Sequence, residues 1–247
     1  MNQIAIPLRD GVKLLSQIPW AFDSLRWILE GGFRQHRELL ASHFPQPPRR
    51  VLDCGCGTGI HSSFFPSHAY EGVDISPIYI DRAQACFPKH RFRVMDATQL
   101  EFHDNTFDAV IVSGVIHHLN PATALEVIKE ISRVLLPGGI LLLWEDVPTR
   151  HSMNLVGRIV HSLDVGEHIR PENEYERLLS NHFCVESTET ICSGFMDYVA
   201  FKARNRLKLN AVSNRRALTE NVSQEPASDS TFIGTESDRR SDQAFAN

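Results

Sequence analysis

Val51-Leu52-Asp53-Cys54-Gly55-Cys56-Gly57-Thr58-Gly59 is the stretch whose reading decides the fold. A short apolar run ending on a carboxylate reads as a buried strand. Glycines at every second position then permit positive φ and a close approach of backbone to a ligand. A helix is expected next, its N-terminus offering free N–H groups to an anionic part of that ligand. Alone, such a loop is equally a structural turn. A nicotinamide-dinucleotide fingerprint has two residues before its last glycine, whereas Gly55, Gly57 and Gly59 strictly alternate here behind Asp53.

Outward from this loop, short apolar runs alternate with amphipathic stretches. Strands are expected at 50–53, 69–74, 91–96, 108–113 and 139–146, and helices at 77–87 and 122–135. Ser76 with Pro77, and Asn120 with Pro121, place an N-cap residue ahead of proline at the first helical position. Leu125, Ile128 and Ile131 are expected to share one helix face, and Pro137-Gly138-Gly139 to turn the chain into the next strand. This alternation argues for an α/β fold with a mostly parallel sheet. A helix near 175–182 and strands at 184–191 and 196–203, joined by Ser193-Gly194, would add an antiparallel edge.

Three zones follow. Residues 1–48 read as an N-terminal helical cap, with Phe22, Leu25, Trp27, Ile28 and Leu29 as its apolar stripe, an interruption at Gly31-Gly32, and a stop at Pro45-Gln46-Pro47-Pro48. Residues 49–203 form the core. Residues 204–247 begin basic and turn polar, too poor in large apolar groups to offset chain entropy, and are expected to be disordered.

Composition narrows the classes. The chain has 247 residues, 42% hydrophobic and 22% charged, which supports a sizeable core. A net charge of −5 gives no global pull toward nucleic acid or anionic membrane. No apolar run approaches the roughly 18 residues of a membrane span, and residues 1–10 do not read as a secretory signal. Five scattered cysteines read as reduced thiols, hence a cytoplasmic location. No His-Glu-x-x-His and no Cys-x-x-Cys is present, so no metal site is expected, and no P-loop lysine follows Gly59.

Further segments carry chemistry. Asp74 ends the second strand, where a carboxylate can accept from both ribose hydroxyls of a nucleoside, or simply cap a turn. Asp96 with Ala97 ends the third. Phe107-Asp108-Ala109-Val110-Ile111-Val112-Ser113-Gly114-Val115-Ile116-His117-His118-Leu119 covers the fourth, and Leu135-Leu136-Pro137-Gly138-Gly139-Ile140-Leu141 leads into the fifth. In this order and spacing the set resembles the class I S-adenosylmethionine-dependent methyltransferases, closest to the small-molecule, ubiquinone/menaquinone-type subgroup. The resemblance covers residues 50–146 by motif and 147–203 by topology. It implies a Rossmann-like seven-stranded sheet, its last strand antiparallel, with helices on both faces.

Carried over by position, the resemblance implies that Asp53, Gly55, Cys56, Gly57 and Gly59 surround the methionine part of S-adenosyl-L-methionine. Asp74 would bind the ribose, Ile75 pack on adenine, Asp96 meet the adenine amino group, and the Ala97 N–H a ring nitrogen. Ser113 and Gly114 would line the floor near the sulfonium. Cys56 reads as a small fitting residue, not a nucleophile. Transfer from an activated methyl asks mainly for alignment. A base for the acceptor has candidates in His117, His118 and His151, with His168, Glu145 and Asp146 on the same rim, although with 12 histidines each also reads as packing or surface.

Those of the family's enzymes that act on exocyclic base amines carry an Asn/Asp-Pro-Pro-aromatic signature after the fourth strand; here those positions read Ser113-Gly114-Val115-Ile116, which argues against a nucleic-acid amine as acceptor. Trp20, Phe22, Trp27 and Phe33, with residues 151–170, are expected to line a pocket for a small, partly apolar acceptor, or to be ordinary core. Aminopropyl transfer would want an acidic pocket, and only Asp104 and Asp108 offer a pair. The alternative function is a non-catalytic S-adenosylmethionine-binding interaction or regulatory protein of the same fold. Oligomeric state is not readable.

Overall fold

The computed structural model describes residues 18–148 and 168–206. The candidate base His151, most of the 151–170 pocket segment and the tail from 207 onward lie outside the described residues.

Seven strands form one sheet in the order β3-β2-β1-β4-β5-β7-β6. They are β1 (Val51–Cys54), β2 (Tyr70–Asp74), β3 (Arg91–Val94), β4 (Phe107–Ser113), β5 (Leu135–Asp146), β6 (Phe183–Ser193) and β7 (Met196–Asn205). β1 to β5 pair in parallel, and β7 runs antiparallel to both β5 and β6. Only β7 is therefore reversed, the arrangement that the Ser193-Gly194 hairpin implied. The order turns back between β1 and β4. Chain connections leave these neighbours in opposite directions, which opens a crevice at their carboxyl ends.

Helices cover both faces. α1 is Pro19–Leu29, α2 Arg34–His43, α3 Pro77–Cys86, α4 Pro121–Val134 and α5 Glu172–Leu179. On one face Val127, Ile128 and Ile131 of α4 and Tyr175 and Leu179 of α5 pack with Val110, Val112, Leu141, Leu143 and Phe201. On the other, Leu39 and Leu40 of α2 and Ile80 and Ala83 of α3 pack with Ile111, Leu142, Trp144 and Tyr198. Strand alternation sends Leu142 and Trp144 one way and Leu141 and Leu143 the other. Each large side chain fully buried this way contributes about 1.5–3 kcal/mol.

Local expectations need correction at several places: Pro137-Gly138-Gly139 lies inside β5 rather than turning into it, and β3 ends at Val94, short of Asp96. No α-helix follows the glycine loop, only a single 3-10 turn at Ser62–Phe64. Phe65 leaves that turn extended, ahead of Pro66, and the chain re-enters the sheet at Tyr70. Leu125 is 38% exposed while Ala124 and Val127 are buried, so the buried face of α4 is rotated from the one read. Trp27 and Ile28 are 60% and 63% exposed, because α1 turns Asp23 toward the body instead, and Glu30, just past its end, is buried there too. Ser76 occupies the N-cap position of α3 without a side-chain cap bond, whereas the Asn120 carboxamide accepts from Ala122 and Thr123 N–H as expected. β7 also continues two residues past 203, where the Asn205 carboxamide donates to the Ser132 carbonyl (2.7 Å) and hydroxyl (2.6 Å).

The β6–β7 turn docks on the end of α1. Phe195 N–H donates to the Leu29 carbonyl (2.8 Å) and the Ser193 hydroxyl to the Glu30 carbonyl (2.8 Å). Gly194 has φ +59°, and a Cβ there would stand 2.1 Å from the Leu29 carbonyl oxygen. Gly194→Ala is expected to lower stability by about 1–3 kcal/mol through forced displacement of this corner. A urea midpoint equal to that of the parent protein would show the corner to be slack.

Candidate functional site

The sheet brings the sequence-predicted cofactor positions to one crevice. Asp53 pairs in register with Gly72 and Ile111, Asp74 with Val94, and Ser113 with Trp144. The ends of β1, β2, β3 and β4 thus lie side by side, and Asp53, Asp74, Asp96 and Ser113 share a rim. Met95 N–H donates to the Asp74 carbonyl (2.9 Å), fixing β3 against β2 just before Asp96.

The glycine loop is fastened to β2 by its own backbone. Gly55 and Cys56 N–H both donate to the Val73 carbonyl (2.8 and 2.9 Å), and Gly57 N–H donates to Asp74 Oδ2 (2.8 Å). Asp74 Oδ1 takes Ser76 N–H (2.9 Å). Burial raises the Asp74 pKa while these two N–H groups oppose the rise. Further donors, such as a pair of hydroxyls, would favour the ionised form still more. Gly57 has φ +53° and nothing within 4 Å of where a Cβ would stand, so the loop presents bare backbone to open space. The helix N-terminus expected to complete an anion site is not there, and the loop works through its own geometry.

The remaining predicted positions divide. Ile75 is 70% exposed beside Asp74, an apolar surface available to a flat ring. Asp96 is exposed, but its Oδ1 accepts from Thr98 N–H and hydroxyl (both 2.8 Å), so part of its capacity is taken by its own turn. Ala97 is partly buried beside it. Gly114 N–H is held by the Trp144 carbonyl (3.0 Å). Cys54 and Cys56 are buried, and burial pushes both thiols up, Cys56 well above its usual range. Neither has thiolate character.

The candidate bases fare differently. His117 is buried, with Nδ1 2.8 Å from Glu145 Oε2 and Nε2 3.6 Å from Asp146 Oδ2. Glu145 is an anchor, not a base: it accepts N–H bonds from Val115 (2.9 Å), Ile116 (2.8 Å) and His117 (3.2 Å). His118 is exposed and packs against the His117 ring at 4.0 Å between centroids. His168 N–H donates to the His117 carbonyl (2.9 Å). Asp104 and Asp108 serve structure, pairing with Arg133 (2.9 Å) and accepting from Arg50 N–H (2.9 Å). Among the described residues, no group of three or more His, Cys, Asp or Glu is arranged to hold a metal ion.

Several residues at this site were not read from the sequence. Arg170 is buried and donates to the carbonyls of Ile116 (2.8 Å) and Leu119 (2.6 Å), clamping the turn after β4. The Thr58 hydroxyl donates to Asp23 Oδ1 (2.6 Å), and Arg82 Nε lies 3.6 Å from Asp23 Oδ2, so α1 is tied to the glycine loop and to α3. Asp53 is fully buried; Oδ2 accepts from the Tyr70 hydroxyl (2.7 Å), while Oδ1 has no hydrogen-bond partner. A buried acceptor left open is an unmet demand for a donor.

Comparison with known proteins agrees with this geometry. Residues 52–143 match the family model described as a methyltransferase domain. An uncharacterised methyltransferase of Mycobacterium tuberculosis is 37% identical over 103 residues, 40% of this chain and 41% of that protein. A demethylmenaquinone methyltransferase of Symbiobacterium thermophilum is 29% identical over 140 residues, 51% of this chain and 55% of that protein. The chain thus spans about half the length of these relatives. In fold, it superposes on the Burkholderia thailandensis 1,6-didemethyltoxoflavin-N1-methyltransferase, solved with its substrate and S-adenosylhomocysteine. The TM-score is 0.58 at 21% identity, over 79% of this chain and 88% of that one. With the acidic ends of β1, β2 and β3 around a glycine loop at the point where strand order reverses, residues 52–143 are thus similar to a methyltransferase domain, and the fold is similar to that of a solved methyltransferase.

Proposed function

We propose that the chain transfers a methyl group to a small, partly apolar acceptor by in-line displacement, with S-adenosyl-L-methionine held across the β1–β4 ends. The observation that carries this reading is the pairing of Asp74 with the open backbone at Gly57: a carboxylate for two hydroxyls beside a wall with no side chain. When bound, S-adenosylmethionine supplies a methyl group already activated on a sulfonium. The protein's part is alignment and exclusion of water. Asp74 orients the ribose, Ile75 carries the adenine, and Asp96 Oδ2 and Ala97 N–H read its edge. Asp53 Oδ1 and the glycine loop receive the aminoacyl end. Glu145 and Arg170 hold the turn after β4 rigid, so that Ser113 and Gly114 form a fixed floor.

The acceptor class rests on the apolar residues of the N-terminal helices and on small-molecule methyltransferases among the similar proteins. With His117 enclosed by Glu145 and Asp146, a substrate nitrogen or other nucleophile that needs no protein base suits this rim best. Five free cysteines fit a reducing, cytoplasmic compartment, and no helix among the described residues is long and apolar enough to cross a membrane.

Asp74→Ala is expected to weaken S-adenosylmethionine binding by about 1.5–3 kcal/mol, the scale of hydrogen bonds to a charged group. Titration calorimetry showing unchanged affinity would remove the ribose assignment. Turnover is tested by incubating the protein with S-adenosylmethionine and a metabolite extract, then searching by mass spectrometry for products gaining one CH2. Binding without any such product or S-adenosylhomocysteine would favour the non-catalytic binding protein of the same fold.

A further inference from the structure

Tyr70 opens β2, and Asp53 lies near the end of β1. In the parallel register Tyr70 stands opposite Val51, and Gly72 opposite Asp53. Side chains two apart on a strand share a face, so Tyr70 sits two residues short of Asp53 on the same side of the sheet. Its phenol meets the carboxylate by passing over residue 72. A Cβ at Gly72 would stand 3.0 Å from the Tyr70 hydroxyl, 2.9 Å from Cys56 Sγ and 2.8 Å from the Phe92 ring. The missing side chain at Gly72 thus leaves the passage through which the hydroxyl reaches Asp53 Oδ2 (2.7 Å).

The ring has little freedom. Phe65 stacks on it at 6.1 Å between centroids, and His90 and Phe92 stand edge-on at 5.5 and 5.7 Å. Tyr70 is buried, and burial together with the Asp53 charge raises its pKa well above the usual range, so the hydroxyl stays protonated and donates. Asp53 has no second donor of this kind. His61 Nδ1 lies 3.8 Å from Oδ2, beyond hydrogen-bond reach, and His61 Nε2 meets His36 Nδ1 instead (3.3 Å). Asp53 Oδ1 has no hydrogen-bond partner. A fully buried carboxylate held at one oxygen and open at the other carries a desolvation cost that a cationic group at the open oxygen would offset.

We infer that Tyr70 is a positioning residue for the aminoacyl end of the cofactor. Its hydroxyl fixes the Asp53 carboxylate by Oδ2, and that leaves Oδ1 to take the ammonium. Tyr70 therefore sets how strongly the site prefers an adenosyl compound bearing an ammonium over one without it. This rests on the cofactor reading above and adds the residue that enforces it. A carboxylate free to turn would have to be ordered by the ligand, and that ordering would come off the affinity. Tyr70 orders it in advance. Tyr70 starts the strand that Asp74 ends, so its loss leaves the ribose carboxylate in place. The effect is confined to ligands that carry the aminoacyl group.

The test is calorimetric titration of the full chain, parent and Tyr70→Phe, with S-adenosylhomocysteine and with 5′-methylthioadenosine, which lacks the aminoacyl end. A pH of about 6.5 lies below the α-amino range of about 7.7–8.0, so the ligand's amine is protonated. The parent is expected to bind S-adenosylhomocysteine more tightly than methylthioadenosine. Phenylalanine keeps the stacked ring and removes only the hydroxyl. Tyr70→Phe is expected to bind S-adenosylhomocysteine about 10-fold more weakly, the scale of one hydrogen bond, and methylthioadenosine as the parent does. A merely structural role would weaken both ligands alike. That outcome, or an unchanged or tighter affinity for S-adenosylhomocysteine, overturns the inference while leaving the cofactor reading intact. If Tyr70→Phe fails to fold, the parent's complex with S-adenosylhomocysteine decides. The hydroxyl still on Oδ2 with the ammonium on Oδ1 supports the inference, and the ammonium on Oδ2 in the hydroxyl's place overturns it. No binding of S-adenosylhomocysteine by the parent, or binding no tighter than that of methylthioadenosine, overturns the inference together with the assignment of Asp53 to the aminoacyl end.

Discussion

Glu145→Ala is expected to destabilise the protein by about 3–5 kcal/mol, the loss seen when one partner of a buried charge-assisted network is removed. Glu145 has no exposed surface and sits at the end of β5, next to the chain leaving β4. Its two oxygens accept three successive backbone N–H groups, from Val115, Ile116 and His117, and face His117 Nδ1. Alanine would leave those donors buried with nothing to meet them, each costing about 1–3 kcal/mol less any relaxation. Glu145→Gln should recover part of the loss. Its carbonyl can serve Val115 and Ile116, but its amide would set donor against donor at His117. Urea unfolding should therefore rank the parent above Gln and Gln above Ala. An Ala midpoint within error of the parent would mean that Arg170, holding the Ile116 and Leu119 carbonyls, secures this turn alone.

Gly57→Val is expected to abolish measurable cofactor binding, a loss of at least about 100-fold, with the fold retained. Two effects add. The residue holds φ +53°, which a β-branched side chain resists at a cost of about 1–3 kcal/mol. Its side chain would project where nothing lies within 4 Å, into the space assigned to the cofactor. Because no protein atom is displaced, a large loss of stability is not expected, and that separates this variant from Glu145→Ala. Differential scanning calorimetry checks the fold and titration with S-adenosylhomocysteine checks the site. A folded Gly57→Val that binds like the parent would place the ligand elsewhere.

The legible parts of this chain were those written in local pattern. Val110 to Val112 and Leu141 to Leu143 are continuous apolar runs because both faces of their strands are buried, and they read directly as strands. Asn120-Pro121 reads as a helix start because capping is a three-residue event. The glycine loop with Asp53, and the strand-end carboxylates Asp74 and Asp96, read as one set because the fold fixes their separations along the chain. What escaped depends on contacts between distant segments. A helix was expected after Gly59 on the analogy of the loop, and the compact His61–Pro66 segment does not form one. Leu125 and Trp27 look like core by residue type, but packing of Ala124 and Val127 sets the rotation of α4, and docking of Asp23 sets that of α1. Glu145 resembles a rim acid until its oxygens are seen filled by backbone N–H groups 28 to 30 residues away. The His36–His61 contact spans 25 residues, and nothing in either neighbourhood announces the other.

The most direct measurement of the central claim is a crystal structure of the full chain with S-adenosylhomocysteine. The ribose hydroxyls are predicted within hydrogen-bond distance of Asp74, the adenine against Ile75, and the α-ammonium at Asp53 Oδ1 over the Gly57 backbone. A complex with the ligand bound away from the β1–β4 ends, or with that crevice closed by side chains around Gly57, would contradict it.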